Sequence, residues 1–341
     1  MVQHPRFRRI LDRRSSQLLF DLLKNPPRSF RFALAAQALR RLGGGKCDAR
    51  GRFYLNVGHT GLDSDGFGRW VRESGVRPIY FVHDLIPITH REFCRSGEAE
   101  RHRRRIRTVL STGSGVIGNS QATLDDLTAF AENENLLTPP MVAAWLGTRG
   151  APSGQNVRPP NRPTFVTLGT IEARKNHELL LNVWSRLVAQ LGSEAPQLII
   201  IGQRGWEAEE VFRILDEDDT LRGHVFELNR CSDDELSRHL ASARALLFPS
   251  KAEGYGLPLI EALAMSVPVI ASDLPAFREI GQGMPLLLDP DHEQPWAAAI
   301  LDFAQRKSAA RAEQLRRLGE FRPPTWDDHF RRVEHWLGSI R

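Results

Sequence analysis

The stretch Pro249-Ser250-Lys251-Ala252-Glu253-Gly254-Tyr255-Gly256-Leu257-Pro258-Leu259-Ile260-Glu261-Ala262-Leu263 follows an apolar run, Ala245 to Phe248. The run reads as a buried strand, the glycines as a loop, and Pro258 as an early residue of a helix, where proline forfeits no intrahelical hydrogen bond. In a strand-loop-helix unit the loop faces the free backbone N–H groups of the helix N-terminus, and Gly254 and Gly256 have no side chain to hold a ligand away. Such a loop suits an anionic or polyhydroxylated ligand. Glu253 in the loop and Glu261 in the first turns of the helix border the same crevice, and both accept hydrogen bonds from hydroxyls. Two acceptors around a donor-rich loop fit a sugar nucleotide.

Outward from this stretch, six apolar runs alternate with helical spacing: Thr164 to Leu168, Leu198 to Ile201, Val225 to Leu228, Ala245 to Phe248, Val267 to Ala271 and Pro285 to Leu288. The alternation predicts a parallel sheet with helices on both faces. Asn176 precedes one helix, and Ser232 with Glu235 makes a capping box ahead of another. The first strand runs into Gly169-Thr170-Ile171-Glu172-Ala173-Arg174-Lys175-Asn176-His177. Two adjacent cations beside a helix N-terminus can grip a diphosphate and neutralise the charge that grows on it as a glycosidic bond breaks; a solvated basic turn is the other reading. Gly202, Arg204 and Gly205 end the second strand on the same edge. Glu279 reads as a cap or a domain contact and is assigned no role.

Upstream, Phe53 to Val57 reads as a strand running into Gly58-His59-Thr60-Gly61, and Ile79 to Val82 as a strand running into His83-Asp84. Both loops fall at carboxyl ends of strands, the ligand edge of open α/β sheets. His83 there is a structural histidine or a reaction-centre one. Asp63-Ser64-Asp65 is either a turn before a helix starting near Gly66 or a D-x-D pair for a divalent metal. Glu98 to Leu110 reads as a helix, Val116 to Gly118 as a short strand, and Asn119-Ser120 as the cap of a helix from Gln121 to Ala131. Ser16 to Lys24 and Ser29 to Leu42 have helical spacing, and Gly43 to Gly45 end the second. Gly147 to Pro163, rich in glycine and proline, reads as a hinge linker. The resulting division is 1–150 as an N-terminal domain, 151–163 as linker, 164–322 as a second domain and 323–341 as a terminal helix. That helix has a cap at Thr325 and an apolar stripe of Trp326, Phe330, Val333, Leu337 and Ile340.

At 341 residues, 41% hydrophobic and 26% charged, the chain is long enough for about two globular domains. Cys47, Cys94 and Cys231 are scattered, so neither a zinc site nor a disulfide framework is indicated. No run of eighteen apolar residues and no signal-peptide core is present, which makes a cytoplasmic location the default. The net charge of +5 conceals an asymmetry: residues 1–50 carry twelve Lys and Arg against three Asp, and Arg101, Arg103, Arg104, Arg105 and Arg107 follow. This field is a solvated face or an attraction toward anionic lipid or a diphosphate-linked acceptor at the inner membrane face. Without interleaved aromatics, nucleic acid is not an expected partner.

The sequence E-G-Y-G-L-P-L-I-E followed by A-L-A-M-S-V-P-V-I-A-S resembles the signature of retaining glycosyltransferases of the GT-B fold, glycosyltransferase family 4. It departs at Ser266, where the family usually has Gly. The resemblance implies two Rossmann-like, doubly wound α/β domains facing across a cleft: 1–150 on the acceptor side, with Ser120 alternatively facing the cleft, 164–322 binding the nucleotide sugar, and the helix of 323–341 packing back on the N-terminal domain. It also implies diphosphate ligation by Arg174 and Lys175, contact of Glu253 with the transferred hexose, and contact of Glu261 with the ribose. The backbone of Gly254, Tyr255, Gly256 and Leu257 would hold sugar and phosphate. His83 would line the reaction centre, with Asp84 orienting it or serving the acceptor, and Gly58 and Gly61 would resemble a glycine loop near the phosphates or the acceptor. The reaction implied needs no metal and no cofactor, the nucleotide sugar being a co-substrate. Similarity to bacterial mannosyltransferases of polysaccharide assembly around Asn56 to Gly61 and His83 to Ile88 implies GDP-mannose as donor and a saccharide or lipid-linked oligosaccharide as acceptor. Members of the family usually open with a strand and a glycine loop, whereas residues 1–50 offer helices and arginines. Transfer from a UDP-sugar, and a non-catalytic sugar-nucleotide-binding subunit, therefore stand as alternatives.

Overall fold

The computed structural model describes residues 49–148 and 160–340, with Val2–His4, Phe7–Arg9 and Gln17. Strands β1 (Val2–His4) and β2 (Phe7–Arg9) pair antiparallel, a hairpin the sequence reading did not contain. The helices expected over 16–24 and 29–42 lie outside the described residues apart from Gln17, as do residues 149–159 of the expected linker.

The first sheet is four-stranded and parallel, in the order β3 (Phe53–Asn56), β4 (Arg77–Val82), β5 (Gly115–Gly118), β6 (Met141–Ala143). Strand β6 has no counterpart in the sequence reading, because three residues after Pro139-Pro140 show no period. Helices α1 (Phe67–Ser74), α3 (Glu98–Thr112) and α4 (Gln121–Asn133) are the crossovers, with a single turn, α2 (Ile86–Thr89), after β4. Right-handed crossovers between strands advancing in one direction place all three helices on one face. Phe67, Val71, Ile106, Val109, Leu124 and Leu127 accordingly form one core with Tyr80, Val82 and Val116.

The second sheet has six parallel strands in the order β12-β11-β10-β7-β8-β9: β12 (Leu286–Leu288), β11 (Val269–Ser272), β10 (Leu246–Phe248), β7 (Thr164–Leu168), β8 (Gln197–Ile201) and β9 (Val225–Leu228). Each apolar run quoted above supplies one strand. The chain winds outward from β7 to β9, returns to β10 on the other side of β7, and winds outward again. Helices α5 (His177–Leu191), α6 (Glu209–Glu217) and α10 (Glu293–Ala304) bury one face around Trp184 and Trp296. Helices α7 (Asp233–Ser242), α8 (Leu257–Ala264), α9 (Pro275–Ile280) and α11 (Ala309–Leu318) serve the other around Phe248, Leu259 and Phe277. The capping box of Ser232 and Glu235 closes α7 as expected. Ser266 adopts φ 58°, a left-handed conformation that costs a residue with a Cβ, which accounts for the glycine usual there.

The second face of the first sheet is covered by the terminal helix, α12 (Trp326–Ser339), capped by Thr325. Val333 packs with Ile79, Phe81 and Ile117, and the rings of Trp336 close over Gly115, where a Cβ would stand 2.6 Å away. The expected stripe is corrected at its start. Trp326 and Phe330 are 44% and 54% exposed and stack on each other at 5.8 Å, because the helix turns His329 toward the sheet instead: its ring is buried, lies 6.1 Å from that of Phe81 and hydrogen-bonds the Trp145 carbonyl at 3.0 Å. No helix among the described residues is long and apolar enough to cross a membrane.

Candidate functional site

Strand order reverses between β7 and β10, and the loops leaving their carboxyl ends meet at this switch point, the place where open α/β sheets bind ligands. The loop after β7 carries Arg174 and Lys175; the loop after β10 carries Glu253. They are tied by a backbone bond, Lys251 N to Arg174 O at 2.8 Å. Asn176, held at φ 57°, adds side-chain bonds from Nδ2 to the carbonyls of Pro249 (3.1 Å) and Pro290 (2.9 Å). Glu253 Oε1 then accepts from Lys175 Nζ at 2.5 Å and Ser250 Oγ at 2.9 Å, and lies 3.0 Å from Arg174 Nη1. Glu172 takes the other side of the same guanidinium at 2.6 Å, and Arg174 also donates to Ala252 O at 2.8 Å. Two cations and two carboxylates make a neutral, largely buried cluster.

Burial pushes the Glu253 carboxyl up, but the charges of Lys175 and Arg174 and the bonds from Lys175 and Ser250 outweigh it, and its pKa lies below the ordinary carboxylate range. The Arg174 guanidinium is opposed by burial and held above its ordinary value by Glu253 and Glu172. His177, the next residue but one after Lys175, is buried, and neither ring nitrogen has a hydrogen-bond partner among the described residues; burial, then the Lys175 charge, lowers its pKa to about 4.

The loop from Glu253 onward meets the first sheet. A Cβ on Gly254 would stand 2.4 Å from the His83 carbonyl oxygen and 2.7 Å from Asp84 Cβ, so only glycine admits this approach. Ser120 Oγ donates to Gly254 O at 2.8 Å while accepting from Thr123 N at 3.1 Å, so the cap and cleft readings of Ser120 both hold. Asn119 Nδ2 donates to His83 O at 2.8 Å. Tyr255 OH reaches across to Leu146 O at 2.8 Å. Gly256, at φ 115°, leaves no room for a Cβ against Phe277, and helix α8 opens at Leu257, one residue before Pro258. Glu261 is half-buried in the second turn of that helix.

His83 does not hydrogen-bond the Asp84 carboxylate. Its Nε2 donates to Val57 O at 2.8 Å, and since a carbonyl only accepts, Nδ1 carries the lone pair of the neutral ring. Asp84 Oδ1 instead accepts from Ile86 N at 3.1 Å and fixes the turn after β4. The Gly58-to-Gly61 loop folds beside His83: Asn56 Nδ2 donates to Thr60 O at 3.1 Å, and Gly61 takes φ 75°. Between the glycines, His59 lies 5.7 Å from the His83 ring and 5.5 Å from that of His102. Burial, then the neighbouring His102 and His83, lowers its pKa to about 4.

Asp63 of the D-x-D stretch is paired with Arg101 at 3.0 Å, with Arg105 at 3.8 Å. Arg107 and Arg103 share Glu134, so most of this second basic cluster is neutralised within the fold. Arg204 forks onto Glu227 and Asp216 and, with Gln203, Leu228, Asn229 and Arg230, lines a cavity of about 590 Å³ at the ends of β8 and β9. Sequence reasoning missed Asn119, Asn176 and Ser250. Each is a short polar residue in the connection between a strand and a helix, a composition shared with ordinary turns and caps.

Residues 151–320 match the family described as glycosyl transferases group 1. The serotype-specific mannosyltransferase WbdA of Escherichia coli is 30% identical over 228 residues, 62% of this chain and 28% of that protein. The O-antigen chain mannosyltransferase B of Escherichia coli is 32% identical over 161 residues, 47% of this chain and 42% of that protein. The chain thus spans less than half the length of these relatives. Among solved structures, the sucrose-phosphate synthase of Thermosynechococcus elongatus superposes with a TM-score of 0.61 at 18% identity, over 92% of this chain and 79% of that one. The six-stranded sheet with the Arg174, Lys175 and Glu253 cluster at its switch point, residues 151–320, is a glycosyl transferases group 1 domain, and the chain has the GT-B architecture.

Proposed function

We propose that the chain is a retaining glycosyltransferase that moves mannose from GDP-mannose to a saccharide or lipid-linked oligosaccharide acceptor in polysaccharide assembly. The observation that carries the reading is the meeting of Arg174, Lys175 and Glu253 at the strand-order reversal, with the His83 carbonyl packed against the next residue, Gly254. In this reading Arg174 and Lys175 neutralise the departing diphosphate. Glu253 accepts from a hydroxyl of the transferred hexose, Glu261 holds the ribose, and the cavity beside Arg204 takes the base. His83 lines the face from which the acceptor hydroxyl attacks, with Nδ1 available to accept a hydrogen bond. The acceptor hydroxyl attacks from the side of the leaving group, without an enzymic nucleophile, and the leaving phosphate takes up its proton. In this reading the transfer requires no metal, and the pairing of Asp63 with Arg101 supports the D-x-D stretch as a turn. The acceptor side belongs to the first sheet, and the basic residues 1–50 hold the protein at an anionic cytoplasmic membrane face.

The test is release of nucleoside diphosphate from GDP-mannose, UDP-glucose, UDP-galactose and ADP-glucose, each with a lipid-linked oligosaccharide extract and each with and without a chelator. GDP release that is acceptor-dependent and chelator-resistant, with an α-linked product by NMR, is expected. Release from UDP-sugars alone would replace the donor, and binding without release would replace the enzyme by a sugar-nucleotide-binding subunit.

A further inference from the structure

Glu279 sits on α9, in the six-stranded half, yet its carboxylate is spent on the other half. Oε1 accepts from Gln121 N at 2.9 Å and from the indole Nε1 of Trp145 at 2.6 Å, and Oε2 accepts from Ala122 N at 3.1 Å. Gln121 and Ala122 are the first two residues of α4, whose N–H groups have no partner within their own helix. Ser120 caps the third, Thr123 N, so the start of α4 is completed jointly by its own cap and by a residue from across the cleft. The negative charge also lies at the positive end of a thirteen-residue helix.

This contact adjoins the reaction centre through one short segment. Asn119 and Thr123, which flank the capped turn, hold the carbonyl of His83: Asn119 Nδ2 donates at 2.8 Å and Thr123 Oγ1 lies 3.3 Å away. Ser120 Oγ, between them, donates to Gly254 O, the residue after Glu253. The segment 119–123 therefore reads three things at once: the position of His83, the position of the Glu253 loop, and the Glu279 carboxylate. A shift of α4 relative to α9 moves His83 and Glu253 apart.

We propose that Glu279 is a positioning residue: its carboxylate, docked on the N-terminus of α4 and on Trp145, sets the closed register in which His83 faces the sugar held by Glu253. Opening costs the latch little, because the carboxylate and two backbone N–H groups exchange each other for water, so it can form and release in each cycle. A glutamine of the same shape offers one acceptor oxygen to three donors and turns its own N–H₂ toward them. This rests on the transfer reading above.

The test uses the full chain as native protein, Glu279→Ala and Glu279→Gln. Affinity for GDP and UDP is measured by calorimetry, transfer from GDP-mannose as separate kcat and KM, and closure as the radius of gyration by small-angle scattering with and without GDP. Nucleotide affinity and donor KM within about twofold of native, kcat down about tenfold or more, and a larger radius of gyration for both variants are expected. Retention of native kcat and the native scattering profile by either variant would overturn the proposal, as would a loss of nucleotide affinity equal to the loss of kcat. If Glu279→Ala fails to fold, the near-isosteric Glu279→Gln carries the test. If the native chain transfers nothing, the transfer reading fails, and scattering still decides whether Glu279 holds the closed register.

Discussion

Replacing Glu253 by glutamine should separate nucleotide binding from transfer. In the native cluster Arg174 and Lys175 are balanced by Glu172 and Glu253; the Gln variant leaves it with one positive charge in excess. Lys175 then retains the Phe248 ring, 5.0 Å from Nζ, and an amide oxygen in place of a carboxylate. Breaking a buried pair costs roughly 3–5 kcal/mol when one charge is left alone; the retained amide acceptor places this change near the lower bound, about 2–3 kcal/mol. The ligand-free variant should melt roughly 5–10 °C below native. A diphosphate experiences the opposite effect. A carboxylate about 5 Å from a phosphate repels it by about 3 kcal/mol at an effective dielectric of roughly 20, reduced by the intervening cations. GDP should therefore bind Glu253→Gln about tenfold more tightly than native, while a sugar nucleotide, which also loses its hydroxyl acceptor, gains less. Transfer should fall by two orders of magnitude or more. Calorimetry with GDP and with GDP-mannose on both proteins, beside a melting curve, measures each quantity. Equal or weaker GDP binding by Glu253→Gln would refute the account of the cluster as a charge-balanced site.

Three further predictions follow from the same geometry. Gly254→Ala places a Cβ 2.4 Å from the His83 carbonyl oxygen, so it should wedge the halves apart and lower kcat more than tenfold with GDP affinity retained; native kcat would show that the approach is not needed. Asn176→Gly keeps the left-handed backbone but removes the donor to the Pro249 and Pro290 carbonyls; about 2 kcal/mol of stability should be lost in a denaturant titration and donor KM should rise, whereas an unchanged midpoint would deny the amide its tie. His177 is neutral and buried with its pKa lowered to about 4, against roughly 6.5 for an unfolded histidine. The unfolded chain binds the extra proton between these values, so stability falls as pH drops from about 6.5 to 4, by up to roughly 3 kcal/mol from this residue. His177→Leu should flatten the melting temperature between pH 7.5 and 5, and an unaltered pH dependence would assign the effect elsewhere.

Much of this was written in the sequence because the relevant interactions are local. Six apolar runs, the Ser232 and Glu235 capping box, and glycines where a loop must turn all depend on neighbours within a few residues. The two loops that supply Arg174, Lys175 and Glu253 were legible for the same reason, each being a strand-loop-helix unit with its charges in the loop. That the loops converge is a property of strand order: β10 lies beside β7 only because the chain returns across the sheet after β9. Spacing along the chain carries no record of that return. Likewise only the folded chain decides that the second face of the first sheet is closed by α12, that His83 donates to Val57 rather than to Asp84, and that Glu279 completes a helix 158 positions upstream. A carboxylate in a short helix looks the same in sequence whether it faces water or an uncapped helix. Its partner is chosen by how two separately wound sheets come to rest against one another.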